Sequence, residues 1–515
     1  MKHMTRCLAL LLAMLMLIAM VSCGDNTPQN TETGDGNVTE APENKPDENI
    51  PQSVVPKDLK FSGKEARILI HGDGDDEFTS TIDNNTLIGK EIYERNDRTE
   101  ARLDIALNYI SNDGELSNVY LDVIRNASLI GGEDNYDIVT ASAYYTSALA
   151  AEGLFYNLNT GDAVNYVTPD QPWYHQSFVK NTSYKNKLFF IAGDLTLSAT
   201  DLAPVTFFNE DELKKWSIED NLYSKALAGE WTMEYLQTLI KDIHVELDNA
   251  DGQTKGDYYG LFFNGGSMCV DAMLVAAGIN ITNTKEDGSI EITWSSGTAV
   301  DAFEKIYEMM YETSGVYLGN TTKEGGTYYG ADKTFRYYSE QSFFEKRSVF
   351  TFGLLSTAQS YAADTSLHYG ILPLPKYDKN QAYATTPQDG YTIVAILQNV
   401  GDRLQLASAT LETLSESSYI EIRPTYYELA YKVRYASSED TARLFDTIIE
   451  SLTFSFGSFY SSSLGNPAWA LRSRLVGGST EPNSNLLGIA GNIHTMALQM
   501  QIDKLLGEFE GMGNS

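Results

Sequence analysis

"YDIVTAS" (residues 136–142) is a short apolar, β-branched run that reads as a buried strand, and its place in a series decides the fold. Upstream of it, Leu116, Val119, Val123 and Ala127 recur at helical spacing. Before them "DIALNYI" (104–110) reads as a strand. The segment from Leu87 to Leu103 reads as a helix with Ile88, Ile92, Thr99 and Leu103 on one face. "ARILI" (66–70) opens the series as another buried strand, with "HGDGDDE" (71–77) as the loop after it. Strand, helix, strand, helix in this order predicts an α/β lobe on a largely parallel sheet.

Downstream, "KLFFIAGD" (187–194) and "APVTFFN" (203–209) are strand-like. Asn209 is placed to cap a helix whose first turn is Glu210, Asp211 and Glu212, acids suited to the helix dipole. "GEWTMEYLQTLIKDI" (229–243) predicts a helix capped by Thr232, with Trp231 and Leu236 as a hydrophobic staple. A further helix is expected from about Gly297 to Thr313. "SVFTFGL" (348–354), "YGILPLP" (369–375) and "YTIVAIL" (391–397) return to strand character, and the chain beyond Arg403 reads as mainly helical.

The N-terminal end has a different composition. Lys2 and Arg6 precede an apolar stretch, Cys7 to Val21, shorter than the roughly twenty residues a transmembrane helix needs, so residues 1–22 read as a signal peptide. Met20-Val21-Ser22-Cys23 resembles a bacterial lipobox, with Met20 where leucine is usual, which would make a lipidated, palmitate-bearing Cys23 the first mature residue. An ordinary signal peptide with an incidental Cys23 is the alternative. Residues 24–58 hold five prolines and no aromatic residue, and residues 23–60 are expected to form a flexible acidic tether spanning on the order of 30 Å. The expected location is the cell membrane, lipid-anchored on the extracytoplasmic face. With Cys269 the one cysteine beyond position 23, no disulfide framework is available.

Past the tether about 455 residues remain, more than one core normally holds, so two lobes are expected. The chain carries 37 Lys+Arg against 70 Asp+Glu, a formal charge of −33, which argues against nucleic acid as a partner. No G-x-S-x-G, H-E-x-x-H or G-x-x-x-x-G-K motif is present, and the loop after "ARILI" lacks the third glycine of a dinucleotide fingerprint. "DNADGQTKGD" (248–257) has the look of a calcium loop, but with Gly252 at the sixth position Leu247 falls where a carboxylate is needed. No metal or cofactor is assigned.

Several stretches together resemble the extracellular solute-binding lipoproteins of bacterial ABC importers, the sugar-binding type of family 1. They are "IYERNDRTEARLDI" (92–105), "YDIVTASAYYTSALAAEGLFYNL" (136–158) and "GDLTLSATDLAPVTFFNEDEL" (193–213), then "GEWTMEYLQTLIK" (229–241) with "YYGLFF" (258–263), and "GILPLPKYDKNQ" (370–381). In that order they cover most of residues 66–400. The resemblance implies a two-lobed, periplasmic-binding-protein-like α/β fold with a hinge and an interlobe ligand cleft. The expected lobes are 61–207 plus 350–397, and 208–349 plus 398–515. It implies a monomeric, non-enzymatic receptor that takes a carbohydrate, an oligosaccharide by expectation, and partners ABC permease transmembrane subunits. A surface-tethered glycan-active enzyme and an adhesin are the alternatives.

Ligands of open α/β sheets lie outside the carboxyl ends of the strands. The loops there offer Asp73, Ser142, Tyr144, Tyr145, Asp194, Asn264 and Ser267, with Asp389 ahead of "YTIVAIL". Carboxylates and amides suit hydroxyl pairs, and aromatic faces suit the C–H face of a pyranose. Trp173 and Trp469 are candidate stacking rings. Each has a plainer reading: Asp194 as a cap, Asp389 as a turn residue, Asp73 in a solvated acidic loop, Trp173 in lobe packing. At most one of Tyr144 and Tyr145 is expected to face the cleft.

Overall fold

The computed structural model describes residues 51–72, 75–81, 86–112, 118–130, 135–247, 252–319, 327–329, 335–362, 364–427, 439–477 and 492–512. Cys23 and Asp73 lie outside them. The first part of the chain runs β1 (Lys64–His71), α1 (Leu87–Leu103), β2 (Ile105–Asn112), α2 (Asn118–Ile130) and β3 (Ile138–Ser142). After a stretch of short helices and loops come β4 (Pro204–Asn209), α3 (Met233–Ile240), β5 (His244–Val245), β6 (Tyr258–Asn264), α4 (Ser267–Ala276) and α5 (Gly297–Tyr311). The elements β7 (Val316–Gly319), β8 (Ser348–Leu354), β9 (Tyr369–Leu372), β10 (Thr392–Ile396), α6 (Leu404–Ser417) and α7 (Pro467–Val476) follow.

Two sheets result. The first has the order β10-β3-β1-β2, in which β1 runs parallel to both β2 and β3 and β10 is antiparallel to β3. The second has the order β9-β4-β8-β6-β5, with β7 also parallel to β6. The parallel lobe anticipated from strand–helix alternation is therefore present. α1 spans the expected residues: Thr86 Oγ1 accepts from Gly89 N at 3.0 Å, and Asp104 ends the helix in the left-handed region at φ 52°. In α2 the buried stripe is Tyr120, Ile124 and Ala127, whereas Val119 is exposed. Ala127 is thus buried as expected, while the stripe before it runs through Tyr120 and Ile124, one residue after the expected Val119 and Val123.

Asn209 and Thr232 cap as expected. Asn209 Oδ1 accepts from Asp211 N and Glu212 N, and Thr232 Oγ1 accepts from Tyr235 N at 3.1 Å. Trp231 is fully buried and its Nε1 donates to Pro373 O at 3.0 Å, pinning the segment after β9 to the start of α3. "KLFFIAGD" forms no regular strand; it meets β10 through a single bridge, Ile191 to Val394.

Three allotments differ from the sequence reading. β8 and β9 pair with β4 in the second sheet, so residues 350–372 are not part of the first. α6 packs through Leu406, Ala407, Ala409 and Leu411 on the first-sheet side, among Ala66, Ile68, Leu103 and Val394. Val55 is buried, and Ser53 N donates to Glu416 Oε1 at 2.8 Å, so residues 51–60 belong to the folded body and not to a tether. In each case an apolar pattern identified an element, or a polar composition suggested a loop, while the partner was set by contacts distant in sequence.

The chain crosses between sheets before β4 and again between β9 and β10. The crossings lie side by side: Gln388 N donates to Leu202 O at 2.9 Å, and Thr392 N to Ser198 Oγ at 2.9 Å. A third segment joins them, Thr453 N donating to Thr385 O at 2.7 Å.

Glu412, on α6, is fully buried, with Tyr174 Oη donating to its Oε2 at 2.6 Å and burial pushing its carboxyl up to about 8. A folded-state value above the unfolded one makes the native chain hold the extra proton, so stability is present at low pH and is lost as pH rises through about 8. Glu412→Gln, a mimic of the protonated acid, is expected to flatten the fall in melting temperature between about pH 5 and pH 9, read by calorimetry. Trp173→Ala, which empties a fully buried site, should cost about 3–5 kcal/mol in denaturant unfolding.

Candidate functional site

A cleft of about 490 Å³ opens where the end of β3, the second crossing and the start of α4 converge with α7. That is within the range of roughly 300–1,000 Å³ common for small-molecule sites. Tyr144 enters from the turn after β3, Gln388 and Asp389 from the crossing, Ser267 and Asp271 from α4, and Trp469 and Arg472 from α7.

Local sequence explains each placement. β3 pairs with β10 from Thr392–Ser142 onward, and the pairing continues past the strands: Ala143 N donates to Tyr391 O at 2.9 Å and Tyr144 N to Asp389 O at 3.1 Å. This sets Asp389 beside Tyr144. α4 is otherwise apolar and buried, so Ser267 and Asp271 are its partly open positions. α7 starts at Pro467, whose fixed φ suits a first helical turn, after Asn466 in the left-handed region at φ 59°. From that start, Trp469 and Arg472 lie one helical turn apart on the same face.

The polar groups interlock. Arg472 Nη1 is hydrogen-bonded to Asp271 Oδ2. Gln388 Nε2 donates to Asp389 Oδ1 at 2.7 Å, and Tyr144 Oη donates to Asn466 Oδ1 at 2.8 Å. Burial pushes the Asp271 carboxyl up to about 7; the Arg472 guanidinium opposes the shift and the Asp389 charge adds to it. Asp389 is also raised, by its desolvation at the cleft, against the pull of Arg472. Asp271 Oδ1 is shielded from solvent and accepts no hydrogen bond among the described residues. Trp469 stands 54% exposed, a large ring open to a ligand.

Of the residues singled out from sequence, Tyr144, Ser267, Asp389 and Trp469 line this cleft. Tyr145 meets Tyr144 edge-on at 5.1 Å and faces solvent instead. The others are held elsewhere. Ser142 is buried, with its backbone engaged to β10. Trp173 is buried in the first-sheet core against Tyr174 and Tyr419. Asp194 faces Arg423 at 3.5 Å, its carboxyl raised to about 7 by burial. Asn264 is fully buried, its Oδ1 accepting from Gly266 N at 2.7 Å, so it shapes the loop before α4.

Asp271, Arg472, Gln388 and Asn466 were missed. A lone carboxylate inside "SMCVDAMLVAA" was a usable signal, because an unpaired acid is out of place on a buried helix. An arginine three residues after an exposed-type tryptophan was another. Among the described residues no group of three or more His, Cys, Asp or Glu is placed to hold a metal ion.

No protein-family model and no curated protein sequence matches the chain. Solved structures do. One is the maltose-binding periplasmic protein MalE from Listeria monocytogenes in complex with maltose, with a TM-score of 0.52 and 12% identity over 86% of this chain and 98% of that one. A second is the maltose/maltodextrin-binding domain MalE from Bdellovibrio bacteriovorus bound to maltotriose, at TM-score 0.50 and 14% identity over 85% and 100%. A third is UgpB from Mycobacterium tuberculosis in complex with glycerophosphocholine, at TM-score 0.50 and 13% identity over 87% and 99%. The fold of this chain is the two-lobed, periplasmic-binding-protein-like α/β fold that these proteins share.

Proposed function

We propose that the chain is the extracytoplasmic receptor of an ABC importer, capturing a carbohydrate, an oligosaccharide in our reading, and passing it to the permease. The observation that carries this is the cleft itself. An exposed indole, Trp469, and the Tyr144 phenol stand beside Asp271, Asp389, Gln388 and Arg472, carried by the turn after β3, the second crossing, α4 and α7. Rings supply area for a sugar's C–H face; the carboxylates, amide and guanidinium supply paired hydrogen bonds for its hydroxyls. Contacts from α4 and α7 on one side and from the end of β3 and the second crossing on the other make a ligand favour a closed state. Two of the similar structures hold maltose and maltotriose, which supports a sugar; the third holds glycerophosphocholine, so the fold alone does not choose the solute. The lipobox-like sequence around Cys23 supports anchoring at the membrane, beside a permease.

A panel of oligosaccharides read by thermal shift and titration calorimetry is the test. Saturable stabilisation with the sugar recovered intact supports the receptor; cleavage of the sugar, or no response to any, defeats it. Trp469→Ala is expected to weaken sugar binding by roughly tenfold through lost stacking. Because the ring is half exposed, the melting temperature of the free protein should hardly move.

A further inference from the structure

The third segment, beyond Thr453, does more than lie beside the crossings. It carries Phe454, Phe456, Phe459 and Tyr460, all buried. On the first-sheet side, the Phe454 and Phe459 rings meet Phe178 edge-on at 5.3 and 5.0 Å. Phe454 N donates to Ser177 Oγ at 3.2 Å, and Tyr460 Oη donates to Thr182 O at 3.2 Å. These partners lie in the short helix Gln176–Thr182. That helix is held at the first sheet because His175 N donates to Ala192 O at 2.9 Å, next to the Ile191 bridge to β10. On the second-sheet side, Gly457 N donates to Thr282 Oγ1 at 2.8 Å. Thr282 follows α4, which packs on β6 and β8. A Cβ on Gly457 would lie 2.5 Å from Ile281 Cγ2, so the backbone is pressed onto that side. The segment then reaches the cleft, where Ser462 Oγ donates to Tyr144 O at 3.2 Å and Asn466 accepts from Tyr144 Oη.

Rotating one sheet away from the other about the crossings would pull this segment off one of its two partners. That would separate packed aromatic rings, or leave a buried backbone N–H without its acceptor, and both are unfavourable. We infer that residues 453–466 are a clasp that fixes the separation of the two sheets, so that the cleft is preformed and does not wait on hinge closure. The rings supply the hold, and the hydrogen bonds of Phe454 N and Gly457 N set the register. The clasp stands without the receptor reading; its consequence for binding rests on it. The arrangement a ligand favours is then one the free chain already occupies, so its apparent affinity is not reduced by a small competent fraction.

The experiment measures a distance between two spin labels by double electron–electron resonance. It uses the full chain beyond the signal peptide, with Cys23→Ser, so that the buried Cys269 is the one native thiol left. Asn126→Cys on α2 and Asp301→Cys on α5, both exposed positions, carry the labels. The free chain is expected to give a single narrow distribution. A broad or two-peaked distribution would overturn the clasp. Phe459→Ala should broaden the distribution; if it does not, the segment is not what holds the sheets and the inference fails. Should that variant not fold, Thr282→Val, which removes one acceptor and keeps the shape, replaces it with the same expectation. In titrations with the oligosaccharide panel, a competent fraction cut to about one third would weaken binding by the loosened variant about threefold. A narrow distribution with no sugar of the panel bound would remove the receptor reading and leave the clasp standing.

Discussion

The antiparallel pairing of β10 on β3 is the constraint on which the rest of the molecule depends. After β9 the chain has to leave the second sheet, and it re-enters the first only because Thr392–Ile396 finds the open edge of β3. The pairing extends through Tyr391 and Asp389 to Ala143 and Tyr144, so the ladder that joins the sheets also assembles one wall of the cleft. Moving β10 by one residue would exchange its faces, burying what now faces outward and turning Asp389 away from Tyr144. Fold and site are therefore set by the same hydrogen bonds.

Electrostatics follow from this arrangement. Several carboxyls are raised by burial, Glu412 to about 8 and Asp194, Asp201 and Asp271 each to about 7, yet they do different things. Glu412 is closed into the core with Tyr174, and Asp194 faces Arg423. Asp201 lies in the first crossing, where the nearby Glu77 charge adds to the effect of burial. Asp271 alone among these lines the cleft. A raised carboxyl marks desolvation; the open volume beside it is what distinguishes a site from a packed acid.

Much of the fold was legible in the sequence because strands and caps are local. "SVFTFGL" coincides with β8, Leu87–Leu103 with α1, and Asn209 and Thr232 with their caps. Pairing was not legible. An apolar run such as "YGILPLP" states that it will be buried and not against which neighbour, and so β8 and β9 were expected in the wrong sheet. The site was half legible for the same reason. Tyr144, Ser267, Asp389 and Trp469 stand at loop or helix starts, where topology exposes residues. Asp271 lies a turn inside a helix, and the value of Arg472 appears only when α7 meets α4. Trp173 and Trp469 are alike as letters. Packing separates them physically: Trp173 is fully buried against Tyr174 and Tyr419, whereas Trp469 stands half exposed.

The left-handed Asn466 followed by Pro467 makes the entry to α7 a stiff corner. Trp469 and Arg472 are carried on that corner as a single rigid part, outside both sheets. The open face of the cleft is to that extent adjustable: the half-exposed Trp469 can be exchanged while the β-scaffold, its crossings and the buried Leu471 of the same helix stay as they are.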